Sequence, residues 1–276
     1  MNPILRNSSY QSRLKAHLAG YKSACLMGVP DGLWTNGLPY PHILPPDSGH
    51  LNLLPCYREA IRGYLMDHPE IKLHRFFHHL NSSQAMCLNL LWPLLHSAEG
   101  CDALRQVLGI KGGIDIERSG FEVIPEPAEG TSFDCVVRSD AGESVFMELK
   151  LSEQSFGTAL NDERHRAKLA TVYAPRLAGR IPPRWLEPEE FFGRYQMLRN
   201  LSHACTDADS VVFLLPRKNE RLVYEVLEWL EELSQFAAPR VRLLFLEDFA
   251  CQLRVRLGAS CTLQDHYREF ARKYII

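Results

Sequence analysis

"FDCVVRSDAGESVFMELK", residues 133–150, holds two runs of strand-forming residues joined by a polar turn at Asp140, Ala141 and Gly142. The second run continues as SVFMELKLS to residue 152. Period-two alternation puts Val145, Met147, Leu149 and Leu151 on one face and Phe146, Glu148, Lys150 and Ser152 on the other. Glu148 and Lys150 therefore point the same way, about 7 Å apart along the strand. Asp134 begins the first run, so a short hairpin brings its carboxylate toward that of Glu148. Two carboxylates this close repel each other unless a cation stands between them, and all-oxygen ligation suits Mg²⁺ or Mn²⁺. The neighbouring lysine is suited to hold a water or a phosphate and to screen developing negative charge. The competing reading is a solvated sheet face with an ordinary ion pair.

On either side of this hairpin the chain alternates between helical and strand patterns. SSQAMCLNLLWPLLH, from 82, starts on a serine cap and runs almost wholly apolar, so it belongs inside the fold. IRGYLMDHPEIKLHRFFHHL before it reads as helix broken at Pro69. FEVI at 121–124 adds a strand ahead of the hairpin. Beyond it come a helix at about 188–205, a buried strand SVVFLLP at 210–216, the amphipathic helix NERLVYEVLEWLEELSQF, a second buried strand VRLLFLE and C-terminal helices. Three strands in a meander and two more reached by crossover give an α/β protein with a mixed central sheet flanked by helices. Residues 1–55 form an irregular or helical N-terminal extension: WTNGLPYPHILPP at 34–46 excludes regular structure but carries aromatic and aliphatic residues, which suits an ordered wrap over the domain at 56–276.

The 276 residues are 46% hydrophobic, enough for one large domain, and the formal net charge is −2. A near-neutral total excludes a generally basic coat but conceals a patch. Residues 164–199 carry eight Lys or Arg against three Glu, a local +5. No apolar run spans a membrane and the N-terminus lacks signal-peptide features, so the expectation is a cytoplasmic protein without membrane attachment. The eight cysteines contain no CxxC pair, which favours reduced thiols over disulfides or zinc.

Asp134 and Glu148-x-Lys150, on consecutive strands after a helix and followed by alternating helices and strands, resemble the PD-(D/E)XK nuclease superfamily with its restriction-endonuclease-like fold. The core of the resemblance covers residues 80–246. "YPHILP", "LNSSQAMCLNLLWPLL" and "YQMLRN" are similar to a bacterial branch of that superfamily along nearly the whole chain. The resemblance implies Asp134 and Glu148 as Mg²⁺ ligands, the Leu149 carbonyl as a further ligand, Lys150 as the residue that positions or activates the water, and Gln196 as a supporting catalytic residue on the following helix. It implies hydrolysis of a phosphodiester in nucleic acid, DNA in preference to RNA. Phe133 stands where the motif has proline. An additional acid ahead of the motif is open among Glu122, Glu126 and Glu129, with Glu122 preferred.

The other Glu-x-Lys, Glu70-Ile-Lys72, follows Pro69 with no strand pair before it. Gln196, Arg199, Asn200 and His203 share a helix face. With Arg164, Arg166, Lys168 and Arg194, Arg199 and Asn200 form the expected phosphate-contacting set. Ser83, Gln84 and Asn89 either brace the core or border the cleft. His74 and His78 stand four apart but lack the glutamate of HExxH, which favours structural histidines. The wrap is available for substrate choice or a homodimer interface. A catalytically inactive binding or regulatory module on the same fold is the alternative, and no GxSxG elbow or GxxxxGK[ST] loop offers another chemistry.

Overall fold

The computed structural model describes residues 9–204, 206–236, 240–258 and 262–276, and its first element is α1 (Tyr10–Cys25). Ser9 caps this helix by accepting the Ser12 amide. The sequence reading passed over α1 because only Tyr10, Leu14, Leu18 and Tyr21 form its apolar stripe within a polar segment. The wrap that follows is ordered, with β1 (Gly32–Leu33) and β2 (Pro39–Tyr40) forming a two-stranded ribbon. Main-chain bonds from Leu44 to the His78 carbonyl and from Leu80 to the His42 carbonyl pin it to residues 78–80. A Cβ on Gly32 would stand 2.2 Å from the Leu44 carbonyl oxygen, so only glycine allows the wrap to close here. Lys22, 4% exposed, ties α1 to the wrap through Asp31 at 2.6 Å and the Ile43 carbonyl at 3.2 Å.

Next come α2 (Arg58–Asp67), α3 (Ser83–Leu95) and α4 (Ala98–Leu108). The helical reading of 68–82 is corrected: α2 stops before Pro69, and residues 70–82 form turns and an isolated bridge between Ile43 and His79. His74 and His78 therefore do not share a helix face. As the reading expected, α3 is capped by Ser82 and its residues are almost all buried.

The sheet runs in the order β3 (Ile114–Val123), β4 (Phe133–Ser139), β5 (Ser144–Leu149), β6 (Ser210–Leu215), β7 (Arg240–Phe245). The first three strands are an antiparallel meander, and β5, β6 and β7 are parallel. Between β5 and β6 lie α5 (Glu163–Lys168), a π-helical turn at Leu169–Tyr173, α6 (Ala174–Leu177), α7 (Pro188–Gly193) and α8 (Tyr195–Leu201). The single helix expected at 188–205 is thus two, broken at Arg194. Helix α9 (Glu220–Leu233) joins β6 to β7, and α10 (Leu246–Arg256) and α11 (Thr262–Tyr274) close the chain.

Each sheet face carries its own core. Cys135, Val137, Val145, Met147, Leu149 and Leu151 pack with α1, α3, α4, α10 and α11. Phe133, Val136, Phe146, Val211 and Phe213 pack with residues 156–204 and α9. This is the mixed five-stranded sheet between helical layers of the restriction-endonuclease-like fold. No helix among the described residues is long and apolar enough to cross a membrane.

Asn89, fully buried on α3, accepts the Leu54 amide at 2.8 Å and donates to the Asn52 carbonyl and the Tyr274 hydroxyl, both at 3.0 Å. It therefore clamps the segment before α2, α3 and α11 together. Asn89→Ala leaves the Leu54 amide and the Tyr274 hydroxyl without this partner and is expected to cost about 3 kcal/mol in urea denaturation, with an unchanged denaturant slope.

Candidate active site

In the β4–β5 hairpin Cys135 faces Met147 and Val136 faces Phe146, so one step further Asp134 falls opposite Glu148. The Asp134 carboxylate accepts the Leu149 amide at 2.6 Å, which fixes it against the end of β5. Glu148 lies 4% exposed on the face that α8 covers. Its Oε1 accepts Gln196 at 2.6 Å and Lys150 at 2.8 Å, and its Oε2 accepts Asn200 at 3.3 Å. Gln196 and Asn200 are one turn apart on α8, so both amides reach the same carboxylate. Lys150 lies just past β5 but stays tethered to β6 by its amide bond to the Leu214 carbonyl at 3.1 Å. The cluster thus sits at the carboxyl end of parallel strands, where open α/β sheets place their ligands. The expected quartet of Asp134, Glu148, Lys150 and Gln196 is brought together.

Of the three candidates for an additional acid, Glu122 joins this cluster. Its carboxylate accepts Gln84 at 2.8 Å and the Ser132 hydroxyl at 3.1 Å. A small enclosed space bounded by Gln84, Cys87, Glu122 and Asp134 lies beside it. Glu122 has φ of 50°, the only non-glycine residue with positive φ among the described residues, and such strain collects at functional sites. Gln84 also accepts the His74 amide at 2.8 Å and donates to the Lys72 carbonyl at 3.0 Å, so it borders the site while Asn89 braces the core. Glu126 instead pairs with Arg176 at 2.7 Å, and Glu129 accepts His203 at 2.9 Å, the Thr131 amide at 2.8 Å and the Tyr173 hydroxyl. This second buried network, which pattern reading did not find, depends on residues separated by up to 74 positions.

Electrostatics mark the acid cluster. Burial pushes the Asp134 carboxyl well above the usual carboxylate range; Glu148 and Glu122 add to the rise, while Lys150 and the Leu149 amide oppose it. Glu122 is raised by burial and by Glu148, against the bonds from Gln84 and Ser132. For Lys150, burial works against the ammonium, but Glu148, Glu153 and Asp134 outweigh it and its pKa is raised. Lys150 is therefore an ammonium at neutral pH, a hydrogen-bond donor that keeps its proton. Glu129 is lowered: its bonds from His203, Thr131 and Tyr173 overcome the effect of burial.

The basic segment is less free than its composition suggests. Arg176, Arg184 and Arg194 pair with Glu126, Glu232 and Glu190. Lys168 donates to the Glu129 carbonyl, Arg166 to Asn161 at 2.6 Å, and the Arg199 guanidinium lies 5.3 Å from the Tyr195 ring centroid. Arg164 is exposed. Asn200, expected at the phosphate surface, is fully buried beneath Glu148. Gly157 brackets Gln196 from the other side: its amide donates to the Gln196 side chain and its carbonyl accepts the Gln196 amide, each at 2.9 Å. Six cysteines are free thiols, and Cys205 and Cys261 lie outside the described residues.

Asp134, Glu148, Lys150 and Gln196 thus converge at the end of β5, and a family profile described as "Restriction Endonuclease associating with ARP" matches residues 8–275. The chain belongs to this family. The match embraces α1, the wrap and the C-terminal helices as well as the sheet, so the restriction endonuclease family accounts for nearly the whole chain. No curated protein and no solved structure matches it.

The raised Asp134 pKa has a sign that can be measured. Between about pH 3.9, where an unfolded aspartate titrates, and its higher folded value, the folded chain holds the extra proton, so this group's contribution to stability falls as pH rises. Asp134→Asn keeps an acceptor for the Leu149 amide and removes the buried charge. In chelator at pH 7 it is expected to melt above the wild type, with the difference shrinking as pH falls toward 4, as followed by thermal denaturation.

Proposed function

We propose that this restriction endonuclease family member is a Mg²⁺-dependent nuclease that hydrolyses phosphodiester bonds, with DNA as substrate by family analogy. The observation that carries the reading is the convergence of Asp134, Glu148 and Lys150 at the end of β5, with Gln196 bound to Glu148.

The donor chemistry fits a hard divalent cation. Asp134, Glu148 and Glu122 bring three carboxyls into mutual electrostatic reach beside the Lys150 ammonium, and all available ligand atoms are oxygens. Among the described residues no three or more His, Cys, Asp or Glu side chains form a ready cage. Asp134, Glu148 and the Leu149 carbonyl would hold the ion, with Glu122 adding charge. Bound there, Mg²⁺ or Mn²⁺ would polarise the scissile phosphate and lower the pKa of a water.

The chain's own groups divide the remaining work. Lys150 donates hydrogen bonds to the water or to a phosphate oxygen and screens the charge that develops there. Gln196 and Asn200 hold the Glu148 carboxylate in a single orientation, which preserves the alignment of the reacting groups. Arg164, Arg166 and Lys168 supply phosphate contacts. The family description adds association with ARP, and on that ground a partner of that designation joins nucleic acid in this proposal.

Cleavage of supercoiled and single-stranded DNA with Mg²⁺ or Mn²⁺ tests the reading. Wild type is expected to cut only with metal, and Glu148→Gln and Lys150→Ala are each expected to lose at least about a hundredfold in rate. Equal cutting by wild type and both variants would refute the assignment. With Arg164, Arg166 and Lys168 as the contacts, binding in chelator is expected to reflect about three phosphates, weakening roughly fortyfold between about 50 and 200 mM salt. Filter binding at the two salt concentrations measures this.

A further inference from the structure

Beside the acid cluster lies a cleft of about 590 Å³, within the range of small-molecule sites, between α1, the wrap and residues 74–84. Gln84, the residue that holds Glu122, also lines this cleft, as do Ser152 and Glu153 immediately after Lys150. Its walls are aromatic. Trp34 lies 5.0 Å from Phe76 and 5.1 Å from His79 between ring centroids, and Phe76 lies 4.8 Å from His79. Trp34 is 37% exposed, so part of this aromatic surface faces solvent.

Resting on the nuclease reading, we propose that the cleft receives an unstacked nucleobase of the bound strand, held against the Trp34, Phe76 and His79 rings while the adjacent backbone reaches Asp134 and Glu148. Every base offers a π-face, and stacking on aromatic side chains is the usual means of holding one without reading its sequence.

The polar lining fits a base better than a phosphate. Lys15 is the one Lys or Arg among the residues that line the cleft. Burial lowers His42 and His79 to about 4; for His42 Lys15 and Lys22 add to this, and for His79 His78, His42, Lys15 and His74 do, while Asp31 opposes the shift at His42. Both rings are therefore neutral at pH 7, and they back the aromatic wall without adding positive charge to it. The Asn81 side-chain oxygen is buried at the cleft without a hydrogen-bond partner, an acceptor suited to the exocyclic amine of a base. The platform is also preorganised: Gly32 lets the wrap close on Leu44, and the Trp34 amide is bound to the Leu38 carbonyl at 2.9 Å.

The test uses the full chain in chelator, so that nothing is cut, and a short single-stranded oligonucleotide carrying one fluorescent adenine analogue. Wild type is expected to quench the analogue on binding. Trp34→Ala and Phe76→Ala are expected to weaken binding roughly tenfold and to restore fluorescence, while Trp34→Phe retains most of both. Unchanged binding and quenching in Trp34→Ala, with a melting temperature like that of wild type, would overturn the proposal. So would loss in Lys15→Ala alone with quenching intact, since that outcome makes the cleft a phosphate groove. A duplex with the analogue paired identifies the source: quenching there shows a base extruded from the helix, and quenching confined to the single strand shows one delivered unpaired. Cleavage with Mg²⁺ is measured alongside. Cutting without quenching refutes the base cleft and leaves the nuclease, whereas quenching without cutting upholds the cleft and refutes the nuclease.

Discussion

The Glu148 carboxylate is the contact on which the rest of the site depends. It projects from the central strand of the sheet and meets Lys150 from its own strand and Gln196 and Asn200 from α8. A carboxylate 4% exposed needs hydrogen-bond donors for its oxygens, and here three donors from two elements supply them. That requirement sets the position of α8 on the sheet, and it explains why a helix of seven residues carries two amides one turn apart. The same carboxylate raises the cost of charge on Asp134 and Glu122. Glu148 thus orders the side chains and the acids around it.

A second buried network holds this arrangement from behind. Glu129 lies four residues before β4, and it binds His203, two residues past α8, together with Tyr173 from the π-helical turn. The loop that leads into Asp134 and the helix that carries Gln196 are therefore fixed to one carboxylate. A π-helical turn shifts the side chains beyond it relative to a regular helix, and here Tyr173 also meets the Tyr195 hydroxyl at 3.2 Å. Strain is concentrated on the opposite side, at Glu122, where Gln84 and Ser132 hold a backbone conformation that a glutamate otherwise avoids.

The hairpin was legible in the sequence because a sheet records its faces with a period of two. The separation of Val145, Met147, Leu149 and Leu151 from Phe146 and Glu148 follows directly from alternation, and so does the placing of Asp134 against Glu148. The apolar strands and α9 were legible for the same reason of pattern. What remained hidden depends on contacts between distant residues. The Arg176 pairing with Glu126 spans 50 positions and the Arg184 pairing with Glu232 spans 48, so a segment that reads as +5 is partly compensated in space. Which of Glu122, Glu126 and Glu129 lies beside the acid cluster likewise follows from distant partners, Gln84 for Glu122, Arg176 for Glu126 and His203 for Glu129. Helix α1 escaped notice because four apolar residues in a polar stretch make a weak stripe, and the turns at 70–82 escaped because a helical pattern continued past Pro69.

The protonation of Lys150 decides which role it can fill. A lysine that served as general base would have to be neutral near pH 7, as desolvation alone tends to make it. Here Glu148, Glu153 and Asp134 reverse that tendency, and the ammonium is bound at 2.8 Å to Glu148. A group in this state gives hydrogen bonds and positive charge. In the proposed reaction the proton of the attacking water would then pass to solvent or to the phosphate. Under the proposed reading a divalent ion held by Asp134 and Glu148 would make that water more acidic. The hairpin, an acid on each strand with a lysine two residues beyond the second, thus fits the proposed reading, in which the water would give up its own proton and the lysine would stabilise charge.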